Sequence, residues 1–154
     1  MRDKIDVKIL EALQQNGKIT NLELAERINL SPTACLNRVK KLEKSGVIEG
    51  YKAIIDPSKA GYNICAMVLL RISNNTKKAA TDFAEAIKKT RSITECHMTA
   101  GKIDYVARVF AKDFKHYETI IRDELSRLPH IASMETLFLF NNLLPSRTIE
   151  LEPN

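Results

Sequence analysis

Cysteine is scarce in this chain of 154 residues, which holds three, at Cys35, Cys65 and Cys96. Their odd number and wide spacing speak against a disulfide framework. Each sits in an apolar periodic segment, as the buried reduced thiols of a cytoplasmic protein do. Long apolar runs are missing as well. The longest, Ile64 to Leu70, is far too short to span a bilayer, so no membrane partner is expected. Residues 1–15 are amphipathic and carry acids, unlike the apolar stretch of a secretory signal. No low-complexity segment or solenoid repeat is present. G-x-G-x-x-G, P-loop and nucleophile-elbow patterns are absent too. The three histidines lack ligand spacing, and in a strand Cys96 and His97 point to opposite faces. No metal, no cofactor and no catalytic residue is expected, and the chain does not read as an enzyme.

Charge is spread rather than bunched. The net charge is +5, and residues 1–62 contribute eleven Lys/Arg against eight Asp/Glu. Local placement says more. The stretch from Ser31 to Leu42 reads as a helix with a small, polar, basic face. Ser31 suits the N-cap, and Pro32 fits the first helical position, where no N–H is needed. Cys35, Leu36, Val39 and Leu42 share one side; Ala34, Asn37, Arg38 and Lys41 share the other. Asn, Arg and Lys are side chains that reach base edges and phosphates.

The neighbours give that helix its meaning. Asp3 can cap a helix with the stripe Ile5, Ile9, Leu10 and Leu13, and Gly17 suits a left-handed stop. Thr20-Asn21-Leu22-Glu23 is a capping-box pattern opening a short helix with Leu22, Ala25 and Ile28 inward. Only Asn29-Leu30 then precedes Ser31, so the two short helices form a helix-turn-helix whose second member is the recognition helix. Ser45-Gly46 ends it. Residues 47–55 read as two short strands, a hairpin wing. Lys44, Tyr51 and Lys52 are placed to meet phosphates.

Residues 56–63 have turn chemistry and mark a boundary. Domain 1–62 is therefore expected to bind DNA and domain 63–154 to follow a different plan. Strand Ile64–Ser73, helix Thr76–Thr90, strands Ile93–Thr99 and Lys102–Ala111, helix Asp113–Leu128 and strand Ser133–Asn141 give the order β-α-β-β-α-β. The fold class is α+β: a winged helix-turn-helix followed by a ferredoxin-like domain with both helices on one sheet face. Met67, Leu69, Val106, Phe138 and Phe140 are expected on the other face. So much apolar area calls for cover, and sheet-to-sheet homodimerisation supplies it.

Several segments in order resemble the Lrp/AsnC (feast/famine) family of transcription regulators, with the leucine-responsive branch the nearer likeness. Ile5 to Leu10 resembles "IDxxIL", Leu30 to Glu43 "LSPTPCLERVRRLE", Gly46 to Tyr51 "GxIxGY", and Glu95 to Tyr105 "ECHxVSGxxDYLL". Leu128-Pro129 resembles the "LPGV" that ends the second helix. The resemblance implies a sequence-specific, DNA-binding regulator of amino-acid metabolism genes. It implies double-stranded DNA as partner, at Thr20, Asn21, Ser31, Thr33, Ala34, Asn37, Arg38, Lys41 and Lys44. It also implies homodimers assembling to tetramers or octamers. A free amino acid is the implied effector, near Thr99, Ala100, Gly101, Lys102, Asp104 and Tyr105, with Asp104 taking the ammonium and backbone N–H groups the carboxylate. Departures are present. Lys102 and Ile103 stand where relatives commonly carry an acid and an aromatic, His130 replaces a glycine, and Ala34 a proline. A charge reversal beside the turn changes what can bind there. The alternative is an architectural DNA-wrapping oligomer without an effector.

Overall fold

The structure, a computed structural model, describes residues 3–74, 76–143 and 149–153. It divides into two compact units, Met1–Ile54 with Leu144–Asn154, and Ile55–Leu143. The boundary expected after residue 62 thus falls inside the second unit, and residues 149–153 belong with the first.

The first unit holds α1 (Lys4–Gln15), α2 (Asn21–Ile28) and α3 (Pro32–Lys44). Each start is set by its cap. The Asp3 carboxylate accepts from the Ile5 and Asp6 amides, and Asp6 returns the bond to the Asp3 N–H. Thr20 and Glu23 form the same reciprocal box on α2, and the Ser31 hydroxyl accepts from the Ala34 amide. The stops differ in kind. Asn29 ends α2 at φ 56°, a conformation that Asn tolerates better than most residues. Gly46, at φ 74°, follows α3. Gly17 does not adopt the left-handed stop expected of it, because α1 ends one residue earlier with Asn16 extended and its side chain accepting from the Lys18 amide.

Ile9, Leu10, Ala12, Leu24, Ala25, Ile28, Cys35 and Leu42 form one core. Two inward assignments are corrected. Leu24 fills the place expected for Leu22, which is 58% exposed, and Leu36 is 40% exposed. At about 100° per residue, Cys35, Val39 and Leu42 centre the buried arc of α3, and Leu36 falls beyond its edge. Arg38 falls at the opposite edge. The wing is corrected too. Among the described residues, 47–55 form no paired strands. The Val47 and Ile48 amides instead bond the Leu42 carbonyl, and the Tyr51 hydroxyl donates to Glu43 at 3.0 Å. A two-stranded ribbon with no third strand is marginal in water, and here Tyr51 turns back onto α3 while Ile54 and Ile55 stay exposed.

The second unit holds β1 (Ile64–Ile72), α4 (Lys77–Lys89), β2 (Ile93–Met98), β3 (Tyr105–Ala111), α5 (Phe114–Asp123), a 3-10 turn (Leu125–Arg127) and β4 (Ile131–Leu139). The four strands form an antiparallel sheet in the order β2-β3-β1-β4. Alternation sorts its faces. Ala66, Val68, Leu70, Tyr105, Ala107 and Val109 pack with Phe83 of α4 and Tyr117 and Ile120 of α5. β3 begins three residues later than expected, since the Asp104 N–H is given to the Leu70 carbonyl and residues 99–104 form the connection. α5 ends early because its last turn tightens into the 3-10 form, with Ser126 Oγ donating to the Ile121 carbonyl.

The opposite face carries Cys65, Met67 and Leu69 on β1, Val106, Arg108 and Phe110 on β3, and Leu137 and Leu139 on β4. These come together in rows such as Leu137–Met67–Arg108–Glu95. Phe138, expected on this face, lies on the helix side. Its pairing with Ala66 fixes the parity, and its ring meets Phe114 and Tyr117 edge-on at 5.4 and 5.1 Å. The three cysteines are free, but only Cys35 is fully buried.

Candidate functional site

The helix-turn-helix presents α3 from a rigid seat. Leu30 N–H bonds the Ala25 carbonyl across the turn, and the Asn21 side-chain amide donates to the Pro32 carbonyl at 2.9 Å. Asn21 thereby ties the start of α2 to the start of α3. Thr20 and Ser31 spend their hydroxyl lone pairs on capping. Thr33, Asn37, Lys40, Lys41 and Lys44 stand exposed, and Ala34 is half-buried between them. These residues share one surface, small at its centre and basic at its end. Glu43, the single acid on α3, is occupied by Tyr51. That contact and partial burial push the Tyr51 phenol above its ordinary range, burial being the larger cause.

Arg38 is placed differently from its companions. Its Nη1 donates to Asp3 Oδ2 at 2.6 Å and to Asp6 Oδ1 at 2.8 Å, while its side chain is 34% exposed and that of Asp6 only 11%. Asp6 is the one buried charged residue among those described. Arg38 therefore clamps α3 to the first turn of α1. The paired acids hold its guanidinium above the usual range. In return the Asp3 carboxyl is held below its own, first by the Asp6 amide and then by Arg38. The spacing groups Arg38 with the polar side, whereas the structure sets it at the edge of the buried arc, and nothing in the helical spacing shows that Asp3 and Asp6, over thirty residues away, would reach it.

The turn between β2 and β3 gathers Thr99, Ala100, Gly101, Lys102, Asp104 and Tyr105. Thr99 N–H bonds the Asp104 carbonyl at 2.9 Å, and Thr99 Oγ1 donates to the Ile103 carbonyl at 2.6 Å, closing the loop on itself. Asp104 is half-buried. Its Oδ2 accepts from the Ile72 amide at 2.9 Å, where β1 slips register against β4. The Tyr105 ring stacks on Phe83 at 4.4 Å and is buried. Beside the turn lies a small cavity of about 250 Å³ lined by Ile72, Ala80, Met98, Thr99, Asp104 and Tyr105. Ala100, Gly101 and Lys102 are exposed in the same turn and do not line the cavity. Asp104 and Tyr105 are thus structural members of the sheet as well as walls of a hollow.

No group of three or more potential metal ligands occurs among the described residues, and no described helix is long and apolar enough to cross a membrane.

Comparison with known proteins agrees with both halves. Residues 2–49 match the family model described as winged helix-turn-helix DNA-binding, and residues 65–149 match the Lrp/AsnC ligand binding domain. The chain is 35% identical over 150 residues to the leucine-responsive regulatory protein of Haemophilus influenzae, covering 97% of this chain and 90% of that one. It is 34% identical over 141 residues to the proline dehydrogenase transcriptional activator of Rhizobium radiobacter, covering 92% and 90%. Among solved structures it resembles a transcriptional regulator of Neisseria meningitidis in complex with L-Met, with a TM-score of 0.90, 31% identity and 97% of each chain covered. AsnC of E. coli superposes with a TM-score of 0.83 at 26% identity, over 97% and 98% of the two chains. These relatives are regulators and not enzymes. With a DNA-binding helix pair in one unit and the ligand-binding sheet of this family in the other, the chain belongs to the Lrp/AsnC family of DNA-binding transcriptional regulators.

Proposed function

We propose that this regulator reads DNA through the exposed surface of α3 and answers to a free amino acid bound at the β2–β3 turn. The exposed row Thr33, Asn37 and Lys41, backed by Lys44, is the observation that carries the first part. Asn37 is placed for base edges, and Ala34 permits close approach. Lys41 and Lys44 suit phosphates. Arg38 serves DNA with the guanidinium edge turned away from Asp3 and Asp6. Thr20, Asn21 and Ser31 hold the helix starts that face the duplex. The targets are genes of amino-acid metabolism, by analogy with the proline and leucine regulators named above, and the place of action is the cytoplasm.

The effector part rests on the hollow beside Asp104. An amino acid offers an ammonium, which Asp104 Oδ1 can accept while Oδ2 keeps the Ile72 amide. The Neisseria relative was seen with L-Met, which makes an apolar amino acid the first candidate. Lys102 brings a positive charge to the rim and suits the ligand's carboxylate. The apolar rows of the open sheet face support a homodimer, and higher assemblies to tetramer or octamer follow from the family pattern.

Selection from a random duplex pool tests the DNA part. Wild type should enrich one motif. Asn37→Ala should lose roughly 1–3 kcal/mol of discrimination at one position, while Lys41→Ala should weaken all sequences alike and lower the salt slope by about 1. Absence of any enriched motif would instead favour the architectural reading. A thermal-shift series with the twenty amino acids tests the effector. A ligand at about a hundred times its dissociation constant adds roughly 2.7 kcal/mol, and a flat series refutes the effector.

A further inference from the structure

The segment Ile149–Leu151 packs on the DNA-binding unit, more than a hundred residues after the helices it touches. Gln14, near the end of α1, accepts from the Ile149 N–H through Oε1 at 2.8 Å. Through Nε2 it donates to the Ile149 carbonyl at 3.2 Å. A side-chain amide thus pairs both backbone groups of one extended residue, as a neighbouring strand would. Leu151 packs half-buried against the core of Ile9, Leu10 and Leu42. The groove that receives the segment has α1 as one wall, through Leu10, Leu13 and Gln14. Its other wall is the stretch leaving α3, through Val47, Ile48 and Tyr51. The Ile149 side chain itself is 73% exposed. Recognition of Ile149 is therefore by backbone pairing, and Leu151 supplies the apolar anchor.

We propose that this groove is a docking site for an extended segment, that Ile149–Leu151 of the chain is its occupant, and that the DNA-binding unit is incomplete without it. The geometry gives the segment a defined task. Among the described residues no hydrogen bond joins α1 to the exit of α3, and the Arg38 clamp lies at the far end of α1. The segment bridges them, anchored on α1 by Gln14 and lining, through Leu151, the hollow shared with Ile48 and Tyr51. Tyr51 in turn holds Glu43 of α3. Docking therefore fixes the end of α3 opposite to its DNA-facing start.

Hydrogen exchange read by mass spectrometry on the full chain tests this directly. The variants are Ile149→Pro, which removes the N–H, Gln14→Ala, which removes its partner, their combination, and Leu151→Asp. Each single change should speed exchange roughly fivefold, the equivalent of one net hydrogen bond, in peptides covering 8–15 and 46–52. Peptides from β1 and β3 should be unaffected. Ile149→Pro should add nothing to Gln14→Ala, which already removes both bonds, whereas Gln14→Ala should add the loss of the carbonyl bond to Ile149→Pro. As a second measurement, a chain cut after Leu143 should show the same fast exchange, and a synthetic peptide of residues 147–154 should restore protection in trans. Unchanged exchange in both peptides, equal acceleration throughout the chain, or no rescue by the peptide overturns the proposal. The effect of docking on DNA rests on the reading of α3 given above: a Leu151→Asp chain should bind an enriched duplex more weakly than wild type. Wild type that fails to bind any duplex would refute that reading and leave the exchange test of docking standing.

Discussion

Replacing Arg38 with alanine separates two tasks, the clamp that the structure shows and the DNA contact proposed for the same side chain. The first is mechanical. Nη1 bridges Asp3 Oδ2 and Asp6 Oδ1 at 2.6 and 2.8 Å, and the Asp6 side chain is nearly buried. An exposed ion pair contributes only about 0–1 kcal/mol, whereas stranding a buried partner costs about 3–5 kcal/mol. Arg38 is a third exposed and one of its two partners is half exposed, so the sum lies between those limits, about 1.5–3 kcal/mol. For a unit of this size that lowers the melting temperature by roughly 6–24 °C. Asp6→Asn in the same background removes the stranded charge, so the double variant should be more stable than Arg38→Ala alone. The second task is at the DNA. Asp6→Asn leaves the outer guanidinium edge in place, so it should lower the melting temperature yet keep the sequence preference, and Arg38→Ala should lose both. Differential scanning calorimetry and binding to an enriched duplex read the two separately. A melting temperature that Arg38→Ala leaves unchanged would refute the clamp. Equal loss of sequence preference in Asp6→Asn and Arg38→Ala would refute the base contact and reduce Arg38 to positioning α3.

Three further outcomes follow from the same geometry. Met67→Glu places a charge in the middle of the open sheet face, where Met67 pairs with Leu137 and Arg108; it should leave the circular dichroism spectrum intact and shift the mass in light scattering to the monomer, and an unshifted mass would exclude this face as the dimer contact. Phe83→Ala empties the centre of the second core, where Phe83 is 1% exposed and stacks on Tyr105; urea denaturation should show a loss of about 3–5 kcal/mol, and a loss below about 1 kcal/mol would contradict that packing. Acid should weaken the helix starts of the first unit, because Asp3 is held below the ordinary carboxylate range by the Asp6 amide and Arg38, and Glu23 by the Thr20 amide and hydroxyl. Folded-state values that are depressed stabilise above the unfolded range and lose that contribution as pH falls through the folded values, so helicity of this unit should hold at neutral pH and fall below about pH 4; Asp3→Asn should shrink the acid loss, and an unchanged acid limb would refute the role of the cap.

Local signals in the sequence were enough where the physics is local. Asp3, Thr20 and Ser31 start their helices because a cap needs only the next three residues, and all three stand in the structure as caps. The order of strands and helices in the second unit was equally legible, since the apolar period changes at each turn. Parity and long-range pairing were harder to read. Phe138 went to the wrong face because the period of a strand says which residues share a face but not which face is covered; the register against Ala66 decides that. Leu36 and Leu22 look inward on a helical wheel, yet the arc that is buried depends on where the neighbouring helices lie. The hairpin wing was misread for a related reason: Val47, Ile48, Ile54 and Ile55 have the composition of strands, but pairing needs a partner that this segment lacks. Asp104 was singled out as a ligand for an ammonium, while its bond to the Ile72 amide, across 32 residues, left no local trace.

That bond makes Asp104 the residue on which the proposed ligand response and the sheet geometry would meet. Its Oδ2 supports β1 at the point where pairing with β4 slips between Arg71 and Ile72. In the proposed site an ammonium at Oδ1 would draw charge toward itself and turn the carboxylate about its bond to Cβ, and the Ile72 amide would follow or lose its partner. Ile72 pairs with Ile131, the first residue of β4, so on that reading the disturbance passes to β4. Asp104→Asn separates the two duties. The amide oxygen can still accept from Ile72, so the sheet should lose only about 1 kcal/mol, a weakened but not broken hydrogen bond. The neutral side chain has no charge to offer an ammonium, so ligand-induced stabilisation should vanish. Asp104→Ala should lose both, with the unbonded Ile72 amide costing about 1–3 kcal/mol. Urea titrations with and without the amino acid that gives the largest thermal shift measure each part. Full ligand stabilisation in Asp104→Asn would place the ammonium elsewhere, and equal stability of Asp104→Ala and wild type would show that the Ile72 bond does not support β1.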